Sequence, residues 1–220
     1  PEGVTTINTH AFAFSSNLKT FNIPASVVNI GERISNICIS LQEINVADSN
    51  TILKSIDGVL FNKDCTTLIT YPMSRKGSYT VPDGVKTIEQ SAFEGCLFLT
   101  DVSIPESCNL INNSAFMSCY TLEKIIMSGS TPPSLGNYVF DGIPSTSRIK
   151  VPKDSLTVYK TAAVWYGYSS IITTPVIYAA GGYINGSGVY VPCYWADGVM
   201  TSLAVLNSTK NSYANTIKVI

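Results

Sequence analysis

Apolar residues recur along the first three quarters of the chain at a fixed step of 23 residues. A repeat of this length is typical of a solenoid, because each repeat, here called a rung, buries its apolar face only against neighbouring rungs. We therefore predict a repeat solenoid that is rich in β-strands. The recurring pairs include Ile7 and Ile30, Leu18 and Leu41, Ile88 and Ile111, Ala92 and Ala115, Phe93 and Phe116, Cys96 and Cys119, and Leu99 and Leu122.

The rungs contain a segment typical of a short β-strand, which ends at proline where Pro24, Pro82, Pro105 and Pro152 follow it. In residues 99–105, Val102 and Ile104 alternate with polar residues, and the final proline ends the strand because it removes a backbone donor. Stacked rungs would align these strands in a parallel sheet, with about 4.8 Å between neighbours. The stretches 91–96 and 114–119 would form the opposite wall, with their Ala and Phe side chains turned inward.

One rung is longer than the others. Between residues 46 and 81, two apolar runs, 57–61 and 68–72, flank a polar turn. This pattern predicts a β-hairpin inserted in the solenoid.

The last rung is followed by a helical pattern. Asp154 is expected to cap a short helix over residues 155–165, because it directly precedes a run with helical apolar spacing. A solenoid needs such a cap to cover its last open rung. The residues expected on the apolar face of this helix are Leu156, Tyr159 and Ala163.

The repeat is lost after residue 172, where tyrosines become frequent. Asn185-Gly186 and Asp197-Gly198 are typical of hairpin turns between alternating strand segments. We therefore predict two domains, a solenoid with a helical cap over residues 1–172 and a small antiparallel β-meander over residues 173–220. The four predicted strands of the meander are 176–184, 189–196, 199–205 and 214–220.

Charge and composition exclude several classes of partner. The formal net charge of −1 argues against a general nucleic-acid binder and against a basic patch for anionic lipid. No apolar run reaches the roughly 18 residues of a membrane span, so we expect no membrane insertion. The opening residues repeat the motif of residues 82–88. We therefore expect a truncated solenoid whose signal or anchor lies upstream.

The residue types that carry chemistry do not form a recognisable constellation. A single histidine, His10, excludes a multi-histidine metal site, and its repeat position predicts a turn residue rather than a base. Four carboxylates are scattered over predicted repeat surfaces, where we expect solvated charges. The glycine-rich run 181–188 lacks the spacing of a phosphate-binding loop. We expect no catalytic residue, metal or cofactor. The four carboxylates are Glu94, Asp101, Glu106 and Glu123.

Three cysteines, Cys38, Cys96 and Cys119, occupy the same position of the repeat, which predicts buried thiols that face the core. Neighbouring rungs would place the backbones of Cys96 and Cys119 near the lower limit for a disulfide, so a bond between them in an oxidising compartment stays open. The remaining cysteines show no CxxC spacing, so zinc is not expected.

Once catalytic, metal and cofactor sites are set aside, the remaining candidate for a function is a binding surface. Strand residues between the buried ones should face outward and form a polar strip of little net charge, the kind of extended repeat surface that binds proteins or glycans. A second candidate is an aromatic patch in the last domain, formed by Tyr183, Tyr190, Tyr194 and Trp195. The strip, here called the front strip, consists of Thr20, Asn22, Glu43, Asn45, Thr80, Asp101, Ser103, Lys124, Ile126 and Lys150.

Residues 1–172 resemble the BspA-like leucine-rich repeat proteins. The resemblance rests on the rung Ile-x-x-x-Ala-Phe-x-x-Cys-x-x-Leu-x-x-Val-x-Ile-Pro, the Asp-Gly-Val-Leu-Phe hairpin and the Val-Pro-x-x-Ser-Leu-x-x-Tyr-Lys cap. The second rung departs from the pattern, because Ile34-Ser35 replaces Ala-Phe. The resemblance implies a secreted or surface protein of host-associated bacteria or some protozoa that adheres to host proteins or other cells. Residues 173–220 are similar to a tandem unit of some gut-bacterial surface proteins.

Three functions are therefore weighed. The first is a non-catalytic adhesion module that binds a protein or glycan of host or neighbouring cells through the front strip. The second is a rigid spacer that presents other domains and has no ligand of its own. The third, a glycan-processing enzyme, requires two carboxylates that converge in a cleft, which the repeat does not predict.

Overall fold

The computed structural model describes residues 3–175, 177–184, 190–196, 199–202 and 218–219. The chain divides into two compact units, residues 1–173 and 174–220. The first unit is a β-solenoid, which confirms the predicted fold. In chain order its strands are β1 (Thr6–Ile7), β2 (Thr20–Ile23), β3 (Asn29–Ile30), β4 (Glu43–Val46), β5 (Leu53–Ile56), β6 (Val59–Asn62), β7 (Thr67–Thr70), β8 (Lys76–Thr80), β9 (Thr87–Ile88), β10 (Phe98–Ile104), β11 (Leu110–Ile111), β12 (Lys124–Met127), β13 (Ser134–Leu135), β14 (Arg148–Lys150) and β15 (Ile172–Thr173).

The predicted parallel strands form the front of the solenoid. They are arranged as a pair, β2-β4, and as a five-stranded sheet in the order β8-β10-β12-β14-β15. The 23-residue step sets the register, so that Val102 lies opposite Ile125 and Asp101 opposite Lys124. Val102 is buried while Asp101 is half-buried, because successive strand side chains point to opposite faces. A second set of short parallel strands, here called the side strands, consists of β1-β3 and β7-β9-β11-β13.

A third wall is built from turns rather than from strands, and we call it the turn wall. The N–H of Phe93 donates to the carbonyl of Ala115 in the next rung at 2.8 Å, and the N–H of Ser91 donates to Asn113 at 3.0 Å. The chain folds back within each rung because two residues per rung, such as Ser91 and Gly95, have a positive φ. Ala92, Phe93, Ala115 and Phe116 are buried, as predicted.

The inserted hairpin is confirmed, and the structure adds a third strand to it. Strands β5, β6 and β7 are antiparallel, and β7 continues the solenoid by pairing with β9. All three apolar residues of β6 are buried because the strand lies between two separate cores. Val59 and Phe61 belong to the core after the insertion, whereas Leu60 belongs to the core before it.

The cap differs from the predicted helix. The α-helix α1 covers only Leu156–Thr161, between 3-10 turns at Lys153–Ser155 and Trp165–Tyr168. It ends early because Ala162 is extended, and the next turn follows Val164, whose φ is 67°.

Two further expectations about the cap are corrected. The residue before α1 is Ser155, without a side-chain capping bond, so Asp154 does not cap the helix. Tyr159 is buried and Leu156 half-buried, but Ala163 lies beyond α1 and is exposed. The cap covers the last rung through hydrogen bonds from Tyr159 Oη to the Gly129 carbonyl and from Trp165 Nε1 to the Pro133 carbonyl, at 2.9 and 2.7 Å.

The second unit is an antiparallel sheet. Its strands are β16 (Ile177–Ile184), β17 (Tyr190–Ala196), β18 (Val199–Ser202) and β19 (Lys218–Val219), in the order β18-β17-β16-β19. A meander would place the last strand beside β18, so the predicted order is wrong for that strand. Strand β19 pairs instead with the edge of β16 that β17 leaves free. The predicted turns at 185–186 and 197–198 lie outside the described residues.

Candidate functional site

The ten residues of the front strip all lie on the front strands. The register places Asn22 opposite Asn45, and it aligns Ser103 with Ile126 on the next strand. The strip is nevertheless interrupted, because β4 and β8 belong to different sheets. One part lies on β2 and β4 and comprises Thr20, Asn22, Glu43 and Asn45. The other lies on β8, β10, β12 and β14 and comprises Thr80, Asp101, Ser103, Lys124, Ile126 and Lys150.

The front strip carries few charges, and two of them pair. Lys124 Nζ lies 3.2 Å from Asp101 Oδ1, with side-chain exposures of 37% and 32%. An ion pair this exposed contributes about 0–1 kcal/mol, because water screens it. Within the described part of the chain, Glu43 and Lys150 have no ion-pair partner. Glu43 therefore leaves a negative charge on the part formed by β2 and β4, and Lys150 leaves a positive charge on the other part.

The insertion fills the gap in the strip with charged residues that sequence reasoning missed. A recess of about 550 Å³ lies beside Glu43 and is lined also by Asp57, Arg75 and Lys76. The Arg75 guanidinium donates to the Asp57 carbonyl and lies 5.7 Å from the centre of the Tyr71 ring. The available signal was the basic pair Arg75-Lys76 at the start of the strand that contains Thr80.

The repeat cysteines are buried thiols, as their position predicts. Cys38, Cys96 and Cys119 have no exposed surface. The Sγ of Cys119 donates to the Phe93 carbonyl at 2.9 Å, and burial raises the pKa of Cys96 well above its ordinary value. Because the thiolate is the reactive form, the Cys96 thiol is a poor nucleophile. The thiols of Cys96 and Cys119 are free, without a disulfide between them.

One carboxylate is not the solvated charge that was expected. Both oxygens of Glu94 lie 2.8 Å from Arg33 Nη2, and only 13% of the Glu94 side chain is exposed. This bond joins the second rung to the first rung after the insertion. Sequence reasoning missed it because the inserted strands hide which rungs are neighbours. His10 is exposed with a φ of 59°, at the same turn position as Ser91 and Ser114.

For the predicted aromatic patch, the structure describes the backbone alone. Tyr183 lies on β16, and Tyr190, Tyr194 and Trp195 lie on β17. The side chains of these residues lie outside the description. The patch therefore stays a prediction.

The described residues contain neither a candidate metal site nor a candidate membrane span. In the described ranges, no group of three or more His, Cys, Asp or Glu side chains is arranged to hold a metal ion. Among the described residues, no helix has the length and apolar character that crossing a membrane requires.

The BspA type leucine rich repeat region matches the chain in six copies, over residues 1–78 and 74–176. A leucine-rich repeat protein from Eubacterium ventriosum is 25% identical, with a TM-score of 0.61, over 69% of this chain and 40% of that one. A leucine rich cell surface protein from Faecalibacterium prausnitzii is 30% identical, with a TM-score of 0.57, over 70% of this chain and 43% of that one.

The pneumococcal vaccine antigen PcpA shares the fold at 19% identity and a TM-score of 0.50, over 78% of this chain and 58% of that one. The chain thus spans less than two thirds of the length of each of these structures. Among curated proteins no match was found.

Proposed function

Because the chain belongs to the BspA-type leucine-rich repeat family, we propose that it is a non-catalytic binding module of a bacterial surface or secreted protein. Its role is adhesion to a protein of a host or neighbouring cell, and its contact surface is the front strip. The family and the likeness to a leucine rich cell surface protein support this proposal.

The observation that carries the proposal is the geometry of the front strip. Parallel pairing aligns its side chains in rows across neighbouring strands, and the five-stranded sheet alone is about 20 Å wide. The part of the strip on β8, β10, β12 and β14 is rigid because the buried residues between its members, such as Val102 and Ile125, belong to the core after the insertion. A rigid surface loses little entropy on binding, which favours recognition of a large partner.

The composition of the strip favours a protein over a glycan as the partner. An open face cannot enclose a sugar, so carbohydrate binding there would need exposed aromatic rings for stacking. None of the ten residues is aromatic. The unpaired charges of Glu43 and Lys150 are instead suited to steer and orient a protein of mixed charge.

The test is binding of the intact chain to immobilised extracellular-matrix proteins and host glycans, measured by surface plasmon resonance. We expect saturable binding to a protein, weakened about tenfold by Lys150→Glu, because the reversal places a like charge against the partner. The matched control is Lys86→Glu, which makes the same charge change on an exposed residue next to side strand β9. Circular dichroism verifies that both variants fold.

Three outcomes contradict the proposal in different ways. Equal weakening by Lys86→Glu and Lys150→Glu would show a non-specific charge effect. Binding to glycans alone would replace the protein partner. Absence of binding to the whole panel by the folded chain would favour the rigid spacer.

A further inference from the structure

The solenoid contains a seam where the insertion separates two rungs. Side strands β3 and β7 belong to different sheets, although other neighbouring side strands pair. In the turn wall, the N–H groups of Ser91, Phe93 and Gly95 donate to the next rung. The equivalent N–H groups of Arg33, Ser35 and Ile37 form no backbone hydrogen bond with any described residue.

A cavity of about 360 Å³ opens at this seam. Its volume falls in the range of about 300–1,000 Å³ that is typical of small-molecule sites. One side is formed by the second rung with Ile30 and Glu32, and the other by β7 and the end of β9 with Thr67, Ile69 and Glu89. The lining therefore combines apolar walls with carboxylates and a hydroxyl.

A second, smaller cavity of about 20 Å³ shares Arg33 and Gln90 with the first. Two buried polar atoms of its lining, Arg33 Nε and Ser91 Oγ, have no hydrogen-bond partner. A buried donor without a partner is costly, so a group that accepts from them is expected there. A water or a hydroxyl needs about 10–15 Å³, so the small cavity has room for one such group.

The charges of the seam disfavour anionic ligands. The guanidinium of Arg33 is already held by Glu94, and the two carboxylates that line the larger cavity, Glu32 and Glu89, would repel an anion. Glu89 keeps one oxygen available, because the other accepts from Asn112 Nδ2 at 3.1 Å. The ligand must therefore donate to carboxylates and also accept from N–H and O–H donors.

We propose that the seam cavity binds one neutral sugar residue. The sugar hydroxyls donate to Glu32 and Glu89, its apolar face lies against Ile30 and Ile69, and one hydroxyl group enters the smaller cavity. This site lies among the side strands and the turn wall, so it does not depend on the front strip. Its failure and the failure of the proposed function are separable for that reason.

The test is saturation-transfer NMR of the full chain with neutral hexoses and disaccharides, with glucuronate and pentylamine as probes of charge. We expect at least one neutral sugar to bind, and glucuronate to bind more weakly than glucose. Glu32→Gln should weaken sugar binding about tenfold, because it removes one charge-assisted hydrogen bond. The matched control is Glu106→Gln, which makes the same change at an exposed residue outside the seam.

A second variant, Gln90→Trp, fills the cavity and should abolish binding while the front strip stays intact. Circular dichroism confirms the fold of each variant. The proposal is overturned if no neutral sugar binds, if Gln90→Trp leaves binding unchanged, or if pentylamine binds and the sugars do not. In that last case the two carboxylates recognise a cation instead.

Discussion

Phe93, Phe116 and Phe140 occupy one position in the three rungs after the insertion, whereas Phe12 and Ser35 occupy it in the two rungs before. The ring centres of Phe93 and Phe116 are 4.6 Å apart, and those of Phe116 and Phe140 are 5.6 Å apart. This stack continues into the cap. Before the insertion Ser35 breaks the stack, and among the described rings Phe12 pairs only with one of its own rung, at 4.6 Å.

The backbone shows the same difference. The second left-handed residue of each rung is Gly95, Ser118 or Gly142 after the insertion, but Phe14 and Ile37 before it. Glycine adopts a positive φ without steric cost, whereas a β-branched residue is strained there. One repeat pattern therefore supports two cores that are packed unequally well. We infer that the rungs before β6 are the less stable part.

The largest predicted effect separates the two cores. Phe116→Ala should lower the free energy of unfolding by about 3–5 kcal/mol, because it removes a fully buried ring from a packed stack. Phe12→Ala should cost less than half as much, since Phe12 is only half-buried. Guanidinium denaturation monitored by circular dichroism measures both. Equal losses would contradict the difference between the cores.

Alkaline pH should destabilise the core after the insertion. Burial raises the pKa of Tyr71 to about 12 from an ordinary value of 10, with a smaller contribution from Cys96. The folded state holds this proton more tightly than the unfolded state. The resulting stability is therefore complete below pH 10 and is lost as the pH rises towards 12.

This loss amounts to about 2–3 kcal/mol for Tyr71. Burial also raises the pKa values of Tyr79 and Tyr159, which adds to the effect. The described members of the core before the insertion include no tyrosine. Denaturation at pH 9 to 12 (about the range of tyrosine ionisation) should show a smaller decline for Tyr71→Phe. An unchanged slope would refute the assignment to Tyr71.

The contact between the two regions should have a measurable coupling. A double-mutant cycle with Arg33→Met and Glu94→Gln is expected to give about 1 kcal/mol, because the pair is largely shielded from water and both carboxylate oxygens accept. The same cycle on Lys124 and Asp101 should give less, since that pair is more exposed. Strict additivity at Arg33 and Glu94 would mean that the seam is not held by this bond.

The smallest predicted effect concerns the left-handed turns. Ile37→Gly should stabilise the chain by up to about 1 kcal/mol, because it relieves a strained φ of 58° at an exposed side chain. Gly95→Ala should destabilise it by about 1 kcal/mol, since its φ is 67° and a Cβ there would approach Met73 Cε to 3.1 Å. Thermal denaturation of both variants tests the sign. A loss of stability in Ile37→Gly would show that the side chain is needed.

The 23-residue period predicts the front sheet well, because a solenoid has only one way to stack identical rungs. Thr20, Asn22 and Lys150 lie on front strands for that reason. The period says nothing about which rungs meet across an insertion, so the Arg33–Glu94 bond and the seam could not be predicted. Strand β5 was missed because its pattern is brief, and the pairing of β19 depends on a free edge formed far away in sequence.

The cap shows a second limit of sequence reasoning. Helical spacing of Leu156 and Tyr159 predicted a helix, and the helix forms. The helix ends early because the chain after it turns to place Trp165 against the last rung. There the indole N–H of Trp165 donates to the Pro133 carbonyl. This tertiary contact has no local signal. The extent of the helix therefore could not be read from residues 155–165 alone.

Unequal cores also matter for binding. The front strip begins on the less stable rungs, with Thr20 and Glu43, and continues on the more stable ones, with Ser103 and Lys150. A partner that contacts both parts should stabilise the first rungs on binding.

The division of the solenoid by β6 is tested most directly by native-state hydrogen exchange of backbone amides. The N–H groups of Phe93 and Phe116 and the equivalent N–H of Phe12 all donate to the next rung, at 2.8, 2.9 and 2.8 Å. The amide hydrogens of these equivalent bonds should exchange at different rates if the two cores differ in stability. We expect Phe93 and Phe116 to exchange only by global unfolding and Phe12 to exchange faster, through local opening of the first two rungs. Equal protection at all three positions would contradict the account.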